Sequence, residues 1–194
     1  LAGVERQAAL AGATSVIVQG NVAVIPVYGM LIPRASLFAE MSGATSAESI
    51  SNKLRAALAD PNVRRIVLDI DSPGGLVGGI PEAGTAIRAA AAEKPVIAVA
   101  NHLAASAAYW LGSQATELMV TPSAEVGSIG VIQAHKNLSR ALDAAGVDMT
   151  VMRSARFKGE GNAFEPLSED AREYFQARLN EVHAQFVDAV AAGR

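Results

Sequence analysis

Apolar and polar positions recur along this chain with two periods, and the two alternate. "SVIVQGNVAVIPVYG" (15–29) sets two apolar runs about Gly20-Asn21 and predicts two strands joined by a turn. "MLIPRASLFAEMSGA" (30–44) shows no period and is expected to be a mobile loop. Thr45 and Glu48 have capping-box spacing. Ile50, Leu54, Ala57 and Leu58 then share one helical face until Asp60-Pro61 ends the helix. "RRIVLDID" (64–71) reads as a buried strand, "SPGG" (72–75) as a sharp break, "PEAGTAIRAAAAE" (81–93) as a helix and "PVIAVA" (95–100) as the next strand.

The same alternation continues to the end of the chain. A helix is expected over about 106–114, with strands near 117–120 and 127–133. "LSRALDAAG" (138–146) predicts a helix and "VDMTVMRS" (147–154) a strand. Ser168 is placed to cap a last helix, with Glu169 and Asp170 in its first turn and Phe175, Leu179, Val182, Phe186 and Val190 as its apolar stripe. Strands alternating with helices of this length predict an α/β fold, a mostly parallel sheet of repeated βα units covered by helices. No repeat, low-complexity tract or linker divides the chain, so residues 1–194 read as a single domain whose first ~15 residues are expected to be flexible. A start at Leu1 rather than Met fits a fragment or a processed form.

Composition narrows the chemistry. Apolar residues make up 51% of the chain, above the usual share for a soluble domain, which predicts both a large core and apolar surface buried between copies. The net charge of −3 gives no electrostatic reason to bind nucleic acid. With no cysteine, disulfides, thiolate nucleophiles and cysteine-bound zinc are excluded. The longest apolar stretch, 96–112, is interrupted by Asn101, His102 and Ser106 and makes a poor membrane span.

Two strand-to-helix turns hold the candidate chemistry. Ser106, in "NHLAASAAYWLG" (101–112), follows one strand and opens a helix, where free N–H groups and the helix dipole favour negative charge. The plain alternative is a helix-capping serine. "DSPGG" follows the preceding strand, and its glycines allow the backbone to approach a ligand and offer N–H groups to an oxyanion. An ordinary turn is the plain alternative there. Neighbouring parallel strands bring two such turns together. The proton acceptor is less evident: His102, His135 and His183 have no carboxylate partner in their local pattern. Lys158 lies in "SARFKGEGNAFEPLS" between Phe157 and Phe164, which are expected to dry its surroundings and favour its neutral form. A solvated surface lysine is the plain alternative.

"IVLDIDSPGG", "AASAAYW", "EVGSIGV" and "FKGEGNAFEPLSEDAREYFQ" occur in that order. In order and spacing they resemble the signal peptide peptidase A-like serine proteases of the Clp-protease/crotonase fold, over about residues 20–190. "GSIGVIQAHKNLSRALDAAGVDMT" and the "KGEGN" loop are most similar to the head-maturation branch found in lambdoid phages. The resemblance implies a serine endopeptidase with a Ser-Lys dyad and no cofactor or metal. In it Ser106 matches the nucleophile, Lys158 the general base, Gly75 and Ala107 the oxyanion-hole N–H donors, and Ser128 a serine that orients the lysine. Ala107-Ala108 stands where cellular members often have Gly-Gly. The implied substrates are scaffold and portal proteins of an immature phage head, the implied state a homo-oligomer, and the implied place the prohead or host cytoplasm. Cleavage of signal-peptide remnants, with a membrane anchor outside this chain, is the cellular alternative. A non-catalytic assembly protein and an acyl-CoA enzyme of the crotonase type are the other classes weighed; neither needs Ser106 and Lys158 together.

Overall fold

The computed structural model describes residues 16–35 and 42–194. The N-terminal stretch expected to be flexible and the centre of the loop expected to be mobile lie outside the described residues. The described residues gather into two compact units, one of those up to Ile129 together with Phe186–Arg194, the other Gly130–Gln185.

In the first unit, β1 (Ile17–Gln19) and β2 (Val22–Ile32) form the expected hairpin about Gly20. β3 (Thr45–Ser46) pairs with the end of β2 and leads into α1 (Ala47–Ala59). β4 (Arg65–Gly75), α2 (Ile80–Glu93), β5 (Val96–Ala105), α3 (Ala107–Ser113), β6 (Glu117–Val120) and β7 (Glu125–Gly127) follow. Strand order is β1-β2-β4-β5-β6, with β3 on β2 and β7 on β5, and every pairing but β1–β2 is parallel. The parallel strands add in chain order, without reversal. Right-handed crossovers therefore put α1, α2 and α3 on one face of the sheet.

The burial pattern follows from that. Ile66, Leu68 and Ile70 of β4 are fully buried on the helix side, against a layer that includes Ile50, Leu54, Ile80, Ile87 and Leu111. Val67, Asp69 and Asp71, pointing the other way, are only half-buried. Trp110 of α3 stacks on Phe186 with ring centroids 4.7 Å apart. Arg194 donates from Nε to the Ser113 carbonyl at 3.1 Å, so the C-terminal residues close the end of α3.

The second unit contains α4 (Ser139–Ala144) and most of α5 (Glu169–Gly193). Ser168 Oγ accepts from the Ala171 N–H at 3.2 Å, as expected for the cap of α5. The strands expected at 127–133 and 147–154 are not formed among the described residues; β7 stops at Gly127. Both stretches are rich in strand formers, yet beyond Gly127 neither has a partner strand among the described residues, and Ile132 and Met152 are 97% and 92% exposed. The expected capping box is also corrected. Ser46 caps α1, accepting from the Ser49 N–H at 3.0 Å. Thr45 instead pairs in β3, where its hydroxyl donates to Tyr28 O at 2.7 Å and accepts from the Tyr28 N–H at 3.0 Å.

Candidate active site

Ser106 stands between the last residue of β5 and the first of α3, half-buried. Its φ of 53° and ψ of −125° are far from both the strand and the helix it joins. Such a backbone costs a non-glycine residue about 1–3 kcal/mol and persists only where the surroundings impose it. Two backbone bonds impose it here: the Ser106 N–H donates to Gly127 O at 2.7 Å, and the Trp110 N–H donates to Ser106 O at 3.0 Å. The Ser106 side chain makes no capping hydrogen bond. The helix-cap explanation of this serine therefore falls, and its hydroxyl has no structural task at the helix start.

The break expected at "SPGG" is not formed, because β4 runs on through Gly75 paired with β2, and this end of the strand closes on Ser106. A Cβ on Gly74 would stand 2.8 Å from the Ser106 Cβ and 2.9 Å from the Ala107 nitrogen. Gly74 also holds φ at +93°, so both space and backbone exclude a side chain. The residue touching the serine turn is thus Gly74, which sequence reasoning passed over in favour of its neighbour; the doubled glycine was the available signal. Ser72, fully buried, fixes this strand end: its hydroxyl donates to Gly29 O at 2.6 Å and accepts from the Gly74 N–H at 3.1 Å. Gly75 packs against the Leu31 backbone. The Leu76 N–H donates to Leu31 O at 2.9 Å, on the β2 side. Ala107 and Ala108 are helical and keep negative φ, so no positive φ is demanded of the pair.

Ser128 directly follows Gly127, whose carbonyl holds the Ser106 N–H. It is exposed and has φ of 54°. Ser106 and Ser128 are the two non-glycine positions with positive φ among the described residues. The strands beneath are braced by Asp69, which accepts from the Tyr28 hydroxyl and the Asn101 side-chain amide. The first unit thus brings together Ser106, Ala107, Gly74, Gly75 and Ser128.

Lys158 belongs to the second unit, on the loop between Arg153 and Glu165, and is exposed. The expectation that Phe157 and Phe164 dry it is not met: the two rings are 60% and 40% exposed. Phe157 instead carries the Arg156 guanidinium, 5.1 Å from its centroid. Glu165 is held below the usual carboxylate range, first by its hydrogen bond from Arg153 and then by that from Asn162. Of the histidines, His102 and His183 are exposed, and His135 Nε2 lies 2.8 Å from the Asn162 carbonyl. Among the described residues no group of three His, Asp or Glu side chains is placed to hold a metal ion, and no helix is long and apolar enough to cross a membrane.

Comparison with known proteins adds the following. The sequence pattern described as "Peptidase family S49" matches residues 88–194. The chain is 38% identical over 175 residues to the capsid assembly protease C of Escherichia phage lambda, covering 90% of this chain and 40% of that protein. It is 38% identical over 174 residues to the head-tail preconnector protein GP5 of Enterobacteria phage P21, covering 90% of this chain and 35% of that protein. It therefore spans well under half the length of either relative. A membrane-bound stomatin-specific protease solved with a substrate peptide is similar at a TM-score of 0.48 and 18% identity, over 62% of this chain and 50% of its own.

Proposed function

The chain belongs to peptidase family S49, and from that premise we propose that it is a serine endopeptidase in which Ser106 is the nucleophile and Lys158 the general base. The observation that carries this is the serine itself. It is held in a strained strand-to-helix turn, its hydroxyl does no capping, and the glycine-rich end of β4 abuts it. Strain of this kind is kept where it serves a site.

The chemistry runs in two steps. Ser106 Oγ attacks the scissile carbonyl carbon while neutral Lys158 takes the hydroxyl proton. The negative charge that develops on the carbonyl oxygen is met by the N–H groups of Gly75 and Ala107. The amine product leaves with the proton that the lysine returns. Water then attacks the acyl-enzyme and gives a proton to Lys158, which passes it to Ser106 Oγ as the ester bond breaks and the acid product departs. Fixed backbone donors of this sort contribute about 10²–10³ in rate each. Ser128, one residue from the carbonyl that fixes Ser106, is placed in this scheme to orient the lysine amine. No step calls on a cofactor.

The substrates proposed are scaffold and portal proteins of an immature phage head, and the site of action the prohead or host cytoplasm. The names of the two relatives support this. The protein is proposed to act as a homo-oligomer. The test is co-expression with the scaffold protein from the same phage and mass mapping of the products. Wild type is expected to cleave, and Ser106→Ala, Lys158→Ala and Lys158→Arg to be inert. Arginine keeps the charge but cannot give up its proton, so substantial cleavage by Lys158→Arg would remove the lysine from the role of base.

A further inference from the structure

Lys158 rides on two successive turns. Its own N–H donates to Ala155 O at 3.0 Å, and the Asn162 N–H donates to Gly159 O at 3.3 Å. The second turn lies against α5: a Cβ on Gly161 would stand 3.1 Å from the Phe175 ring, and Gly161 holds φ at +76°.

The two ends of the loop are tied to one another. Arg153 and Glu165 form a two-pronged ion pair, Nη1 facing Oε1 and Nη2 facing Oε2. Charge-assisted forked pairs are directional as well as strong. Asn162 connects this pair to the turn. Its Nδ2 donates to Glu165 Oε2 and to Gly159 O, both at 2.9 Å, while its Oδ1 accepts from the Phe164 N–H at 2.8 Å. His135 Nε2 meets the Asn162 carbonyl. The Arg153 Nε is buried, and a Cβ on Gly159 would lie 4.0 Å from it. The guanidinium therefore packs beneath the residue that follows Lys158. The outer ties, Arg156 to Asp170 and Glu160 to Ser168, are exposed.

We propose that Arg153, Glu165 and Asn162 are positioning residues for Lys158: the ion pair closes the base of the loop, and Asn162 carries that closure to the Gly159 carbonyl, one residue from the lysine. The inference rests on the Ser106–Lys158 reading above. None of the three touches the reacting atoms. Each acts through the backbone that aims the amine.

Hydrogen exchange and cleavage of the scaffold protein, measured together, test it. Glu165→Ala is expected to speed exchange at the Lys158 and Asn162 amides by about tenfold or more, with β4 and β5 amides unchanged. Its kcat is expected to fall by up to about 100-fold, the cost of misplacing a catalytic group by ~1 Å, with KM little altered. Glu165→Gln keeps a hydrogen-bonding oxygen for Asn162 and Arg153, and is expected to recover much of both losses; it also serves if the alanine variant unfolds. Unchanged exchange in Glu165→Ala, or faster exchange with wild-type kcat, overturns the positioning role. Lys158→Ala, run alongside, keeps the two ideas apart. If it cleaves normally the dyad has failed and the positioning role with it. If it is inert while Glu165→Ala is fully active, the positioning role alone has failed.

Discussion

At Ser106 the backbone is strained and the side chain is not part of the helix cap, and these two facts separate stability from the proposed catalytic role at one position. Glycine there keeps both backbone hydrogen bonds and relieves the positive φ. Set against the greater freedom glycine gives the unfolded chain, about 0.4–1 kcal/mol, the relief leaves a net gain of about 1 kcal/mol. Ser106→Gly is therefore expected to be more stable than wild type and unable to cleave. Ser106→Ala, which loses no capping bond, should be inert at nearly wild-type stability. Urea denaturation of the three proteins beside a cleavage assay decides the matter, and a less stable Ser106→Gly would mean that the turn is not strained. Gly74→Ala runs the other way. Its methyl would stand 2.8 Å from the Ala105 carbonyl as well as from Ser106. The expected outcome is a stability loss of about 2–3 kcal/mol and no cleavage. A Gly74→Ala protein that melts and cleaves like wild type would show that the end of β4 and the serine turn do not press on one another.

The elements that sequence reasoning found are those whose signal is local. Strands buried in a parallel sheet read as unbroken apolar runs, as in "RRIVLDID", and Asp60-Pro61 stops α1 where expected. The misses share one cause, that the deciding partner lies elsewhere in the chain. Thr45 has the spacing of a cap, but Tyr28 takes it into the sheet and Ser46 caps α1 instead. The stretches 128–133 and 147–154 have strand-like composition and no strand to pair with among the described residues. Motifs single out Ser106, Gly75 and Lys158 as the residues of the proposed site. The φ of Ser106 was not legible there, because Gly127, from another strand, helps to impose it. Nor was the Arg153–Glu165 tie, whose partners are twelve residues apart with no helical spacing between them. One consequence concerns pH. Arg153 and Asn162 depress the Glu165 carboxyl, so its contribution is present above the unfolded value of about 4.3 and is lost only as pH falls through the lower folded value. The Lys158 loop is thus expected to stay closed from pH 8 down to 5. A fall in cleavage over that range should come without faster exchange at the Asn162 amide, once corrected for intrinsic rates; exchange that rises in step with the fall would assign it to loop opening. A second consequence concerns α5, whose last turns are anchored to α3 by Phe186, 1% exposed and stacked on Trp110. Phe186→Ala is expected to cost about 3–5 kcal/mol in chemical denaturation, and a cost under ~1 kcal/mol would mean that the anchor is dispensable.

At the scale of the whole molecule, the two units differ in what holds them together. The first has a layered core of fully buried aliphatic side chains. In residues 130–185 the only fully buried side chain is Ala171, while Ile132, Met152 and Phe157 stand 97%, 92% and 60% exposed. Ordering each residue costs roughly 1–2 kcal/mol of backbone entropy, and burial of apolar surface is the main term that offsets it. A segment of this length with so little buried needs cover from outside itself. Its strand-forming stretches with no partner strand and its apolar side chains are the features a second copy of the same chain can satisfy, by strand pairing and burial at once. The protein is therefore expected in solution as a species well above its 20.0 kDa chain mass. Light scattering at micromolar concentration measures this directly. Ile132→Asp and Met152→Asp each place a charge where burial between copies is expected, and should shift the population toward the single chain while leaving the thermal transition of the first unit in place. Cleavage should fall with the loss of the larger species, since Lys158 lies in the unit that association would order. A single 20.0 kDa species that cleaves the scaffold protein at full rate would sink the argument, and with it the proposal that the protein works as an assembly of copies.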